Sequence, residues 1–371
     1  MRVKRPLRTG PPEVHHFDAG DGKRLRLTRY RGGSKGPLIF AHGLGVSSLI
    51  FTIDTIDTSL VEYLYAAGYD CWLLDYRAST ALPYAVEAFT ADDVAQLDFP
   101  AAVEKVRSET GAPSVQMLAH CYGAMSFTMA MLSGLQGVRA AVLSQISAHA
   151  DVPWWPQRML AWMRAPDLMA LAGTRHLDAC AGTDRNRVSR MVDALLAFYP
   201  FRSADRTRSA TGRRITALYG PLYEIGRLNQ ATMDALPEMF GKANIGAFRQ
   251  LSKIARAGEI VRATAGNPYI SEAAWRNFAI PTLFIHGERN RTFLPSGTAR
   301  TMAALARVNG PQLYRRHVVP GAGHLDCIFG REAVRDVFPH ILAHLEKSAR
   351  VAGAATSQSA TLGQSAKEES A

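Results

Sequence analysis

The stretch Leu118-Ala119-His120-Cys121-Tyr122-Gly123-Ala124 decides how this chain folds. One apolar run, residues 114–118, leads into it, and a second, residues 125–132, leads out. The first has the length of a buried strand and the second continues as a helix. The turn between them is bracketed by small residues, Ala119 and Gly123, which let strand and helix pack closely. The residue between them is pushed out at the head of the sheet, beside a helix N-terminus, and here it is Cys121. Such a terminus stabilises an anion, so the sequence predicts a reactive thiol with a lowered pKa. Taken alone, the motif also fits a core cysteine at an ordinary strand end.

The neighbouring segments build the sheet. Residues 37–42, 69–76, 114–119 and 138–146 are short, nearly continuous apolar runs, as in a parallel sheet buried on both faces. Helical patterns at 59–67 and 93–110 alternate with them, which predicts a doubly wound α/β fold. Leu25, Leu27 and Tyr30 fall among charged residues and predict an exposed early strand. Strand pattern returns at 281–286 and 312–319, and residues 331–349 form a last amphipathic helix. The expected division is a flexible basic arm at 1–13, a first core part at 14–147, a helical lid at 148–275, a second core part at 276–350 and a disordered tail at 351–371. Within the lid, Pro156 opens a helix carrying Met159, Trp162 and Met163, which Pro166 closes. Residues 188–198 and 248–254 give further helical runs.

Composition narrows the function. The 371 residues carry a net charge of +11, dispersed rather than gathered into a stripe interleaved with aromatics, so nucleic-acid binding is not expected. The four cysteines, Cys71, Cys121, Cys180 and Cys327, show no metal-ligand spacing and no disulfide framework. Cys71 and Cys180 read as small buried hydrophobes. Neither a metal nor a cofactor is expected. No signal-peptide h-region follows the basic start and no run reaches transmembrane length, which predicts a soluble cytoplasmic protein.

Two loops complete a catalytic pattern. His42-Gly43-Leu44-Gly45 follows the strand at 37–41 and assigns the backbone N–H groups of Leu44 and Tyr122 to an oxyanion hole. Pro320-Gly321-Ala322-Gly323-His324 follows the last strand, and His324 stands where the order nucleophile, acid, histidine puts the base. His120, inside the elbow, shapes the turn. The acid position after the strand 281–286 holds Asn290. Asparagine can accept from an imidazole N–H and orient the ring, as in Cys-His-Asn sites. Two carboxylates compete for the role: Glu288 in the same loop, and Asp151 after the strand 138–146.

His324-Leu325-Asp326-Cys327-Ile328-Phe329-Gly330 resembles the H-L-D-F-I-x-G ending of the acid lipases, the gastric and lysosomal group of the α/β-hydrolase superfamily. The stretch 248–258 is similar to part of their lid, and Asp75-Tyr76-Arg77 to their N-x-R-G position. The chain resembles more closely the hydrolase-like C-terminal portion of bacterial cholesterol-oxidase-type flavoproteins, through A-H-C-x-G-A and the asparagine of the acid loop. That likeness spans roughly residues 36–346. It implies an α/β-hydrolase fold and a flavin oxidoreductase as a partner, although this chain has no G-x-G-x-x-G of its own. Acid lipases use serine and aspartate where Cys121 and Asn290 stand.

Together these features predict a cysteine-dependent esterase or thioesterase working through an acyl-enzyme. Trp154, Trp155 and Trp162 of the lid would bind a bulky apolar acyl or sterol-like group. Two alternatives remain open. One is an acyltransferase using the same Cys–His pair, as in polyhydroxyalkanoate synthases. The other is a non-catalytic binding module on the same fold.

Overall fold

The computed structural model describes residues 4–153, 163–181, 193–194, 196, 209–264 and 269–349. Its centre is an eight-stranded sheet in the order β1-β2-β4-β3-β5-β6-β9-β10. Strands β1 (Glu13–Asp18) and β2 (Arg24–Tyr30) pair antiparallel at one edge, and β2 also runs antiparallel to β4 (Asp70–Asp75). From β4 onward the ladder is parallel, through β3 (Pro37–Ala41), β5 (Val115–His120), β6 (Val138–Ser144), β9 (Thr282–Gly287) and β10 (Tyr314–Val319). Every residue of β3, β4, β5 and β9 is buried, which explains why these strands read as continuous apolar runs.

Alternate residues of each strand feed two cores. Ile39, Ala41, Met117 and Ala119 face one, under α2 (Phe99–Thr110) and α3 (Tyr122–Leu132). Leu38, Phe40 and Leu118 face the other, under α1 (Leu60–Ala66) and the helix at 338–349. Both faces are therefore covered, as the doubly wound reading requires. Strand β2 departs from its expectation: Leu25 and Leu27 are fully buried, because β1 pairs outside it and takes the exposed edge.

The described part of the basic arm is docked on α1. Arg5 holds both Glu62 carboxylate oxygens, at 2.7 and 2.8 Å, and the Arg8 N–H donates to the same group at 2.8 Å. Glu62 also closes a capping box with Ser59. Despite its burial, these partners hold its carboxyl at a pKa of about 2. The flexible arm expected from composition is therefore anchored from residue 4 onward; its basic residues have a buried acid to meet.

Between β6 and β9 lies the segment read as the lid. Its described parts are α4 (Ala165–Leu171), the β7–β8 pair (His176–Asp178 with Lys242–Asn244), α5 (Ala210–Tyr219), α6 (Gln230–Met239), α7 (Ile245–Ala257) and α8 (Glu272–Asn277). Helix α9 (Pro295–Asn309) returns the chain to the sheet. Pro166 lies in the first turn of α4, and the helix it was expected to close falls on residues outside the described ones. Trp154, Trp155, Pro156, Met159 and Trp162 lie outside the described residues, as do most of 188–198 and the tail at 351–371.

Candidate active site

The elbow forms because its backbone leaves no room for larger neighbours. Cys121 sits at φ 55°, ψ −123°, a strained conformation for a residue with a Cβ. A Cβ on Gly123 would lie 2.4 Å from the His42 carbonyl oxygen, to which the Gly123 N–H donates at 3.1 Å. On the other side, the Cys121 N–H donates to the Ser144 carbonyl at 2.9 Å, joining the elbow to the end of β6. Helix α3 starts at once, with the Met125 N–H on the Cys121 carbonyl at 3.0 Å.

The loop after β3 is built to face the thiol. The His42 ring stacks on Tyr76 with centroids 4.4 Å apart, and the Tyr76 hydroxyl donates to the His42 carbonyl at 2.7 Å. Asp75 gathers the Ser48 N–H, the Ser48 hydroxyl, the Ser79 hydroxyl and Arg26 behind that loop. Gly45 turns the chain at φ 72°. The N–H groups of Leu44 and Tyr122 both reach the Cys121 sulfur.

They do not make it acidic. Burial pushes the thiol up to about 12, and the two N–H groups only reduce that rise. The lowered pKa expected from the helix N-terminus is thus reversed: the dipole's effect falls short of the desolvation of a thiolate in an apolar pocket.

His324 is buried beside Cys121, and its Nδ1 lies 3.0 Å from Asn290 Nδ2. Gly287 makes this closeness possible, since a Cβ there would strike the Gly323 carbonyl oxygen at 2.2 Å. Desolvation drives the His324 pKa well below its ordinary value, and the nearby His120 and His286 push it the same way. The other two acid candidates are engaged elsewhere. Asp151 accepts from Arg300 at 2.5 Å, and Glu288 accepts from the Gly321 N–H at 2.8 Å. Of the three, Asn290 is the one in contact with the histidine. It does not offer its oxygen, however: Oδ1 accepts from the Thr292 and Phe293 N–H groups, at 2.9 and 3.1 Å, and the NH2 faces the ring. The expectation that the asparagine accepts from imidazole is corrected by the geometry of its own loop.

His120 packs edge-on to His324 with centroids 5.0 Å apart, and burial lowers its pKa to about 3. His120, Cys121 and His324 each bring one donor atom within 4.8 Å of the others. A metal on His324 Nε2 would require a proton on Nδ1, opposite the Asn290 NH2, so the donor set does not fit a metal through that ring.

Above the thiol opens a pocket of about 520 Å³, lined among others by Leu44, Ile146, Met163, Leu218, Phe240, Phe248, Leu251 and Phe293. Tyr219, at the end of α5, lines the same pocket. Among the described residues its buried hydroxyl has no hydrogen-bond partner, and it lies so close to Gly45 that a Cβ there would fall 2.0 Å from it. Gln145 carried no sequence signal at all, yet it contacts Asn290 at 2.9 Å.

An eight-stranded, mostly parallel sheet with a strained strand-to-helix elbow and a histidine loop after its last strand defines the hydrolase class of α/β proteins. Residues 36–331 match the family model of the alpha/beta hydrolase fold, and the chain belongs to that family. It is 30% identical over 127 residues to Lipase 1 of Drosophila melanogaster, covering 31% of this chain and 28% of that protein. It is 30% identical over 130 residues to human gastric triacylglycerol lipase, covering 30% and 33% of the two chains. The chain thus spans about a third of the length of the curated relatives it matches. Among solved structures it is similar to a thermostable carboxyl esterase from Bacillus coagulans, with TM-score 0.61 and 13% identity, over 92% of this chain and all of that one. It is also similar to a monoglyceride lipase variant from Saccharomyces cerevisiae, with TM-score 0.59 and 15% identity, over 94% of this chain and 99% of that one. At such identities these structures show the fold alone. Among the described residues, no helix is long and apolar enough to cross a membrane.

Proposed function

We propose that the chain hydrolyses a carboxylic ester or thioester with a bulky apolar acyl or sterol-like group, through an acyl-enzyme on Cys121. One observation carries this reading: two backbone N–H groups converge on the Cys121 sulfur at the floor of an apolar pocket, with the His324 ring beside it. As the sulfur bonds to the carbonyl carbon, the thiol proton passes to His324 Nε2, and the Leu44 and Tyr122 N–H groups hold the developing oxyanion. Collapse expels the alcohol or thiol, which takes that proton. Water then attacks the thioester, gives its proton to His324 and releases the acid, and the sulfur leaves to be reprotonated. Asn290, against His324 Nδ1, orients the ring.

The apolar pocket favours long or fused-ring substrates over acetate esters. The resemblance read from the elbow sequence and Asn290 to the cholesterol-oxidase-type portion favours a sterol-like group and a flavin oxidoreductase as partner. Four cysteines outside any disulfide are consistent with a reducing cytoplasm. The test is a series of p-nitrophenyl esters from acetate to long acyl chains, with mass spectrometry of the quenched enzyme. Turnover rising with chain length and an acyl adduct on Cys121 are expected. Full activity in Cys121→Ala, or an adduct elsewhere, refutes the reading.

A further inference from the structure

Gln145 follows β6 and is fully buried. Its φ is 79°, a left-handed conformation in which a Cβ is strained and glycine is the default. The side chain supplies what glycine lacks. Its Oε1 accepts from the Gly287 N–H at 3.1 Å and from Asn290 Nδ2 at 2.9 Å. A main-chain N–H fixes which end of this amide is oxygen, since turning the amide over would set two donors face to face. Asn290 is fixed in the same way, with its Oδ1 on the Thr292 and Phe293 N–H groups. Asn290 Nδ2 then has two hydrogens to place. One goes to Gln145 and the other points at His324 Nδ1, 3.0 Å away. A primary amide nitrogen accepts nothing, so Nδ1 must accept, and the proton of the neutral imidazole sits on Nε2.

We infer that Gln145 is a positioning residue acting through Asn290: the two amides hold His324 as the Nε2–H tautomer, so the resting site pairs a thiol with an imidazole that cannot yet take its proton. The catalytic consequence rests on the Cys121–His324 reading above. For Nε2 to receive the thiol proton, the imidazole proton must first sit on Nδ1, where it would face the Asn290 NH2. Turnover therefore requires the Asn290 amide to turn half round, giving up the Thr292 and Phe293 N–H groups and presenting Oδ1 to Nδ1–H. The bond to Gln145 opposes that turn.

The experiment is a long-range 1H–15N correlation of ring nitrogens in histidine-labelled protein at pH 7.5, without substrate, with His324→Gln for assignment. The wild type should show an unprotonated, imine-type Nδ1 and a protonated Nε2 for His324; a protonated Nδ1 overturns the inference. Asn290→Asp replaces the donor by a carboxylate and should move the proton to Nδ1, so an unchanged tautomer also overturns it. Gln145→Met removes the acceptor at equal chain length and equal backbone strain. It should raise the rate of Cys121 alkylation by iodoacetamide roughly 3- to 10-fold, the worth of one hydrogen bond. Gln145→Glu keeps an acceptor oxygen and should return the wild-type rate. Equal rates in the Met and Glu variants take Gln145 out of the relay. If the Asn290→Asp protein fails to fold by circular dichroism, the wild-type ring shifts still decide. These readouts need no turnover, so a missing acyl adduct defeats the proposed reaction while leaving the tautomer standing.

Discussion

Cys121 should be slow to alkylate although it faces an open pocket. Its thiol is raised from 9.0 to about 12, which lowers the thiolate fraction at neutral pH about 1000-fold against an ordinary cysteine, tenfold for each unit. A more basic thiolate is a better nucleophile, and a Brønsted slope of 0.4–0.5 returns about 15- to 30-fold of that loss. The net expectation is alkylation roughly 30- to 60-fold slower than in the unfolded chain. The assay is a time course with iodoacetamide at pH 7.5, native and in guanidinium, quantified for the Cys121 peptide by mass spectrometry. The native rate should rise about tenfold per pH unit up to the highest pH the fold tolerates, because the folded thiol titrates above that range. Labelling of native Cys121 as fast as the unfolded control, or a plateau below pH 9, refutes the argument. It would mean that the Leu44 and Tyr122 N–H groups outweigh desolvation.

Three further outcomes follow from named contacts. Gly123→Ala puts a Cβ 2.4 Å from the His42 carbonyl oxygen, a backbone atom that cannot yield, so the elbow must open. The variant should lose about 2 kcal/mol or more in urea unfolding, and wild-type stability would show that the loop after β3 can move. Phe248→Ala enlarges the pocket and should raise KM for long-acyl esters while leaving acetate esters unchanged; equal effects on both would assign Phe248 to packing alone. Asp326, buried with its Oδ2 on the Gly323 and Glu224 N–H groups, is raised by desolvation from 3.8 to about 6. Between those values the folded chain binds more protons there than the unfolded one, so this group's contribution to stability falls as pH rises through the window. Asp326→Asn should flatten that slope in urea titrations from pH 4 to 7, and an unchanged slope would assign it to other groups.

The fold was legible because its strands are buried on both faces. Runs such as Pro37–Ala41 and Asp70–Asp75 are apolar throughout or nearly so, and no amphipathic element imitates that pattern. Strand β1 was not legible. Glu13–Asp18 alternates between partial and full exposure at the sheet edge, so its residues carry no core signature. Helix α4 was not legible behind Pro166, because a proline marks a boundary without saying on which side a helix lies; its missing N–H is tolerated in a first turn as readily as it stops a last one. The arm was read as flexible because charge density is local information. Its anchor, Glu62, lies 57 residues from Arg5 in sequence and reads on its own as one more surface acid.

The site divides along the same line. Cys121, Leu44, Tyr122 and His324 were legible because short motifs fix them: small residues at a strand end, a glycine pair after a strand, a histidine after the last strand. Asn290 was found by its offset from Gly287, but its role was read from the wrong atom. Residue type says that an asparagine can donate or accept, and only the surrounding N–H groups decide between them. Those groups belong to Thr292 and Phe293, whose side chains are irrelevant to the outcome, so no substitution pattern at those positions would reveal it. Gln145 is the extreme case. It follows a strand like many polar residues, and neither its left-handed backbone nor its contact with a loop 145 positions away is written in its neighbours. A carboxylate at 290 would draw a proton onto Nδ1 and stabilise the imidazolium, whereas the amide repels both. The amide therefore favours the opposite tautomer of the histidine from the one a carboxylate would favour, while burial keeps the Cys121 thiol protonated at rest.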